Sequence, residues 1–221
     1  QFFALEYLSK DPKVNIKKVG VSGHSRGGMI SVLASEKRLR DALISKDLYF
    51  AAAQPRAPDC ENVSMFRNPQ PIKVTKTWMV LGGADNYTRP GPCVELGKKI
   101  KANGGNIEVT VKKGWHHGFL GNYPAEKSKD AQIFWKCPRL WTEDNGKYNK
   151  EYTDWLVKNG AFESEEAMWD MVKRDPNTAY KRTLIPYEST KCMFLGAHTG
   201  GNKGKWFMKP YLKFWKETLL N

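Results

Sequence analysis

The sequence predicts an α/β fold, a mostly parallel sheet flanked by helices, and three observations predict it. Short apolar runs at residues 18–22, 48–52, 77–81 and 107–111 alternate with stretches of helical character, the spacing expected of strands joined by crossover helices. The first run passes directly into a helix through the glycine-flanked Gly23-His24-Ser25-Arg26-Gly27. Finally, the residues best suited to chemistry come just after the ends of these runs. In a parallel sheet those ends share one edge, where loops from different strands converge.

In chain order, residues 1–8 read as a helix with Phe3, Leu5 and Leu8 apolar, ended by Lys10-Asp11-Pro12. A second helix begins near Gly27, with Met29, Ile30 and Leu33 as its packing face. Thr77-Trp78-Met79-Val80-Leu81 is continuously apolar, as a strand covered on both faces would be, and Gly82-Gly83-Ala84-Asp85 comes next. Ile107-Glu108-Val109-Thr110-Val111 alternates and leads into Gly114-Trp115-His116-His117-Gly118-Phe119. Residues 121–203 form an insertion of helical and irregular character. There, 151–158 reads as a helix stopped by Asn159-Gly160. Ser164 caps another, with Glu165 and Glu166 in its first turn, which runs to about Arg174 and stops at Asp175-Pro176. The insertion is rich in tryptophan (Trp135, Trp141, Trp155, Trp169). These rings either fill a small core of its own or cap an apolar pocket. A closing helix spans roughly 208–219, with Leu212, Trp215 and Leu219 as its stripe and Pro210 near its start. The expected organisation is thus 1–120 as a partial catalytic core, 121–203 as an insertion or cap, and 204–221 as a helix returning to the core.

The glycine-flanked serine between strand and helix has the form of a nucleophile elbow, in which a tight turn lifts a serine hydroxyl above the sheet. Side chains at Gly23 or Gly27 are expected to collide where helix and strand run closest, and Gly28 belongs to the same turn. A hydroxyl is a poor nucleophile until an imidazole takes its proton, and a carboxylate fixes the tautomer of that imidazole. Serine, aspartate and histidine arrive here in that order, as Ser25, Asp85 and then His117, each after a strand. His116 is the alternative base. A turn-capping aspartate is the bland reading of Asp85, and it loses because the three residue types arrive in order, each at a strand end. The backbone N–H of Arg26 is the expected oxyanion donor, and its side chain either pairs with a substrate carboxylate or steadies the elbow through a salt bridge. His24, Arg26, Tyr87, Trp115 and His116 are the candidate substrate contacts.

On Gly23-His24-Ser25-Arg26-Gly27-Gly28, Gln54-Pro55 to Cys60, Gly82-Gly83-Ala84-Asp85-Asn86-Tyr87-Thr88 with Cys93 shortly after, and His117-Gly118-Phe119, the chain resembles the dienelactone hydrolase family of α/β-hydrolases. The resemblance covers residues 1 to about 120 and resumes near Gly200-Gly201-Asn202. It implies Ser25 as nucleophile, Asp85 as acid and His117 as base, with no metal or organic cofactor. The best-known members carry cysteine where this chain has Ser25, which favours a general carboxylic-ester or lactone hydrolase over dienelactone itself. About four strands precede the first helix in such a fold. The chain is therefore expected to be a C-terminal piece, to lack the loop supplying a second oxyanion donor, and to be inactive alone, since one such donor is worth about 10²–10³ in rate. A non-catalytic scaffold keeping the fold, and a peptidase or acyltransferase using the same three residues, are the alternatives.

Composition narrows the class. In 221 residues, 40% hydrophobic, no apolar run reaches the length of a membrane span. The formal charge of +13 comes from lysines scattered from Lys10 to Lys216. With no basic stripe or nucleic-acid motif, a solvated surface is expected rather than a nucleic-acid partner. Oligomeric state is not legible. Four cysteines allow three pairings. Cys60 with Cys93 at the active edge, and Cys137 with Cys192 around the aromatic segment, are the candidates, against four buried thiols. Bridges would place the protein in the periplasm or outside the cell, free thiols in the cytoplasm. No C-x₂-C or H-x₃-H spacing points to zinc.

Overall fold

The computed structural model describes residues 1–61 and 65–220. In chain order the elements are α1 (Phe2–Leu8), β1 (Gly20–His24), α2 (Arg26–Leu33), α3 (Lys37–Leu43), β2 (Ala52–Arg56), β3 (Met65–Phe66), β4 (Lys76–Gly82), α4 (Pro90–Ala102), β5 (Asn106–Lys112), β6 (Glu126–Ile133), β7 (Trp141–Thr142), α5 (Lys150–Lys158), α6 (Glu165–Arg174), α7 (Pro176–Thr183), α8 (Ile185–Ser189), β8 (Phe194–Thr199) and α9 (Gly204–Trp215). They divide into two compact units: Gln1–Cys60, Asn68–Ser128 and Ala197–Asn221 form the first, Glu61–Arg67 and Lys129–Gly196 the second.

The first unit is built on a four-stranded sheet in the order β1-β2-β4-β5, parallel throughout. The strand register aligns the C-terminal ends. His24 lies beside Arg56, Arg56 beside Val80, and Gly82 beside Lys112, so the segments after β1, β2, β4 and β5 all emerge on one edge. The central β4 buries Thr77 through Gly82, which is why its sequence is continuously apolar, whereas edge strand β5 exposes Glu108 and Val111. One core packs Phe2 and Leu5 of α1 with Ala34, Ile44 and Phe50. A second packs Trp78 and Val80 with Phe119 and with Phe207 and Phe214 of α9, Trp78 and Phe207 stacking at 5.7 Å and 11°.

Several expected faces are rotated. In α1 the buried residues are Phe2 and Leu5, and Phe3 is exposed. Gly28, Ser31 and Val32 bury in α2 and Ile30 is exposed, Gly28 lying against the Arg56 backbone. The second strand lies at 52–56, four residues past the expected 48–52, since Leu48-Tyr49-Phe50 precedes the ladder, with Phe50 in the α1 core. Helix α9 also starts earlier than expected. Phe207, Tyr211 and Phe214 face the core at i, i+4 and i+7, Leu212 faces solvent, and Pro210 lies inside the helix. The backbone bond Pro210 cannot donate would have gone to Trp206, which is 76% exposed. Its carbonyl therefore belongs to a residue within reach of water.

The second unit has its own core of Tyr152, Leu156, Phe162, Met168, Ala179 and Tyr187, with Trp155 and Trp169 packed against it. The buried Tyr152 and Tyr187 hydroxyls share a hydrogen bond of 3.0 Å. Ser164 caps α6 by accepting from the Ala167 N–H at 3.1 Å, as its sequence predicts. Asp175-Pro176 ends α6 and at once starts α7, because proline suits a first helical turn. Both expected disulfides are present, Cys60–Cys93 in the first unit and Cys137–Cys192 in the second.

Two outcomes test this architecture. A Cβ at Gly23 would enter the backbone of Gly27, whereas one at Gly27 meets nothing within 4 Å, which corrects the expectation for Gly27. Thermal melts should show Gly23→Ala destabilised by about 1–3 kcal/mol and Gly27→Ala neutral or stabilised, since alanine is the better helix former. The Cys137–Cys192 bridge closes a separation of 55 residues. Replacing both cysteines by alanine should cost about 4 kcal/mol on chain-entropy grounds, read as an earlier urea transition.

Candidate active site

The turn between β1 and α2 holds Ser25 at φ 54°, ψ −116°, a left-handed conformation rare outside glycine. The surroundings enforce it. The Ser25 N–H donates to the Arg56 carbonyl at 2.8 Å and the Met29 N–H to the Ser25 carbonyl at 3.0 Å. Gly23 approaches the backbone of Gly27, and Gly28 that of Arg56. At the start of α2 the Arg26 N–H has no acceptor within the helix, as at any helix N-terminus.

The loops after β4 and β5 are laced together. Gly83 N–H donates to the Lys112 carbonyl at 2.8 Å and Ala84 N–H to the Trp115 carbonyl at 2.9 Å. Gly82 is glycine because a Cβ there would enter the Trp115 backbone. His117 pairs with Thr199 in an isolated parallel bridge and its carbonyl accepts from the Gly200 N–H. Its ring lies between Ser25 and Asp85, with Nε2 3.0 Å from Ser25 Oγ and Nδ1 2.9 Å from Asp85 Oδ2. The carboxylate can only accept, so the proton on Nδ1 is assigned to it and Nε2 is left to accept from the serine. Both partners of Ser25 are almost fully buried, Asp85 at 4% and His117 at 6% exposure. This arrangement can move a proton from a hydroxyl to an imidazole whose opposite edge faces a fixed negative charge.

Asp85 is held from several sides. Its Oδ1 accepts the Tyr87 and Thr88 N–H groups, each at 2.9 Å. Thr88 Oγ1 lies 3.0 Å from Asp85 Oδ2, 3.1 Å from His117 Nδ1 and 3.2 Å from the Ala57 carbonyl. One hydroxyl thus touches the carboxylate, the imidazole and the neighbouring strand's exit loop. Thr88 is the member of this cluster that sequence reasoning missed. Its signal, a hydroxyl three residues after the aspartate, is present in the sequence but stands there only as part of the family motif. The Cys60–Cys93 bridge joins the same two loops, Cys60 lying just after Ala57 and Cys93 in the first turn of α4.

The remaining candidates scatter. Tyr87 packs its ring edge-on to His117 at 4.8 Å. His116 turns away, its Nδ1 donating to the Ala84 carbonyl at 3.0 Å and its ring meeting His198. Trp115 packs on Phe119 and lines a cavity whose walls include none of Ser25, Asp85 and His117. Arg26 is exposed, and among the described residues no ion pair steadies the elbow through it. His24 lies 5.0 Å from the His117 ring, with both ring nitrogens buried and without a hydrogen-bond partner. Burial first, then the positive potential of His117 and Arg56, lowers its pKa to about 4, Asp85 opposing weakly. It is a neutral ring at physiological pH. Among the described residues no group of three or more His, Cys, Asp or Glu side chains could hold a metal ion, and no helix is long and apolar enough to cross a membrane.

Known proteins give this geometry its context. Over 138 residues the chain is 25% identical to "Protein usf" of Aquifex pyrophilus, covering 62% of this chain and 53% of that one. Among solved structures it is similar to MGS-M1, an alpha/beta hydrolase enzyme from a Medee basin deep-sea metagenome library, at TM-score 0.44 and 17% identity over 55% of this chain and 50% of the other. It is also similar to the thermophilic esterase Est2 of Thermogutta terrifontis, at TM-score 0.42 and 19% identity over 54% and 53%. Scores this low add nothing to the sheet order and register of the chain itself. The chain spans about half the length of these relatives. The decisive match is to a family, the dienelactone hydrolase family, over residues 1–137. That stretch holds the elbow, the aspartate loop and the histidine loop, and the chain belongs to this family.

Proposed function

We propose that this chain carries the nucleophile, base and acid of a serine hydrolase acting on small carboxylic esters or lactones. The observation that supports it most is the hydrogen-bonded series Ser25 Oγ, His117 Nε2, His117 Nδ1, Asp85 Oδ2, at 3.0 and 2.9 Å, built on a serine with backbone angles that only the elbow explains. In this reading Ser25 Oγ attacks the ester carbonyl carbon as its proton passes to His117 Nε2. Asp85 holds Nδ1–H and stabilises the imidazolium. The tetrahedral oxyanion takes the Arg26 N–H as one donor. Collapse expels the alkoxide, which leaves as alcohol with the proton from His117, and the acyl group stays on Ser25. Water, deprotonated by His117, then attacks the acyl carbon, and the acid departs as Ser25 recovers its proton. Thr88 is a positioning residue that fixes the acid and the ring together.

Two disulfides fit an oxidising compartment, and we place the protein in the periplasm or outside the cell on that ground.

A fluorophosphonate probe, which needs one covalent event rather than turnover, should label Ser25 slowly with the Arg26 N–H as oxyanion donor, with no labelling of Ser25→Ala and labelling slowed a further ~10²-fold or more in His117→Ala. Labelling that His117→Ala leaves unchanged would refute the assignment. Thr88→Val should slow labelling about ten- to a hundredfold through misplacement of the ring, with Thr88→Ser restoring it. His24 sets a pH dependence of stability. Unfolded, it titrates at 6.5, and folded at about 4. Between those values the unfolded chain binds more protons, so stability must fall as pH drops through this window. Urea midpoints between pH 7 and 4 should fall less steeply for His24→Phe, and identical slopes would count against an uncharged His24.

A further inference from the structure

The first unit contains a cavity of about 480 Å³ that the serine chemistry does not use. Its walls are largely aromatic. Trp78 and Phe207 lie nearly parallel, Trp115 lines another part, and Trp206 lies along α9. The charged residues lining it are Lys112 and Lys203. The volume falls in the ~300–1,000 Å³ range of small-molecule pockets, and its wall offers polar and apolar surface in similar measure.

Two features define what would fit. Lys112 and Lys203 form no ion pair among the described residues, and no carboxylate lines the cavity. The polar part of the wall is therefore cationic and unneutralised, in a chain whose net charge is already +13. Trp206, at 76% exposure, presents a large indole to water next to it, an arrangement that favours a flat partner able to cover it. Indole faces carry negative potential, so an anionic group is driven away from the rings and toward the ammonium groups. An aliphatic anion would forgo the stacking and a neutral ring the lysines, while a cation would meet both ammonium groups.

We propose that this cavity binds a small aromatic carboxylate, its ring against the tryptophans and its carboxylate at Lys112 and Lys203. The site is separate from Ser25 and stands or falls independently of the hydrolase reading. Trp115 belongs to the loop that carries His117, so an occupant here touches the segment that positions the base.

Calorimetric titration of the whole chain at low salt tests it, with 2-naphthoate as probe and 2-naphthylmethanol as its uncharged counterpart. Naphthoate should bind saturably and at least about tenfold more tightly than the alcohol. Lys112→Met with Lys203→Met should erase that preference. Trp206→Ala, at an exposed position that the fold does not need, should weaken both ligands about tenfold. Chain whose Ser25 has been labelled with fluorophosphonate should bind naphthoate unchanged. No saturation up to roughly 5 mM, binding indifferent to these variants, or binding lost on labelling Ser25 would overturn the site. So would self-association that Trp206→Ala abolishes, which would give this surface to a second copy of the chain.

Discussion

Everything at the C-terminal edge of the four-stranded sheet depends on a backbone constraint at one residue. Ser25 is held at φ 54° and ψ −116°, a conformation that costs of order 1–3 kcal/mol for a side chain with a Cβ. It persists because its surroundings leave no relaxed alternative. The Ser25 N–H is committed to the Arg56 carbonyl, the helix it starts is anchored by the Met29 N–H, and Gly23 and Gly28 let strand and helix approach to backbone contact. Glycine serves here for its missing side chain rather than for freedom at φ, since neither position has a positive φ. The strain lifts the hydroxyl off the strand end and leaves the Arg26 N–H at the head of a helix.

Asp85 and His117 are fixed by a different means, many ordinary hydrogen bonds in place of one strained turn. Parallel register brings the exits of β2, β4 and β5 to the same edge. The loops there bond to one another: Gly83 to Lys112, Ala84 to Trp115, Thr88 to Ala57, and His117 to Gly200. The Cys60–Cys93 bridge adds a covalent tie between two of these loops, and the buried Asp85 accepts from two backbone N–H groups. A carboxylate so satisfied has little reason to leave its orientation, and the His117 ring inherits that orientation through Nδ1.

The sequence made the elements of this edge legible because each leaves a local mark. An apolar run long enough for a strand, a glycine pair around a serine and a histidine before glycine can all be read without knowing what packs where. Ser25, Asp85 and His117 could be named on that basis, and the β4 and β5 strands placed within a residue or two. Helix faces were less legible. Phe2 and Phe3, or Leu212 and Phe214, are equally apolar, and only the neighbouring element decides which is buried. Glycine at 27 looked sterically required because its motif is symmetric, whereas the close approach is carried by Gly23 and Gly28. Thr88 was missed for a related reason. A hydroxyl three residues after an aspartate is common in turns, and its value arises from long-range contacts to Ala57 and His117. Strands as short as Met65–Phe66 carry no periodicity to detect.

The charge state of His24 closes the electrostatic logic of the site. In the proposed reaction, proton transfer from Ser25 would make the ring of His117 a cation in a largely buried setting. Its neighbours are Asp85 at 2.9 Å, Tyr87 edge-on, and His24 at 5.0 Å between ring centres. A protonated His24 would oppose that cation across a short, poorly solvated gap, on top of the Arg56 guanidinium nearby. Burial removes this conflict by holding His24 neutral down to about pH 4. In a chain carrying +13 of formal charge, the His24 ring beside His117 thus adds no further positive charge at neutral pH.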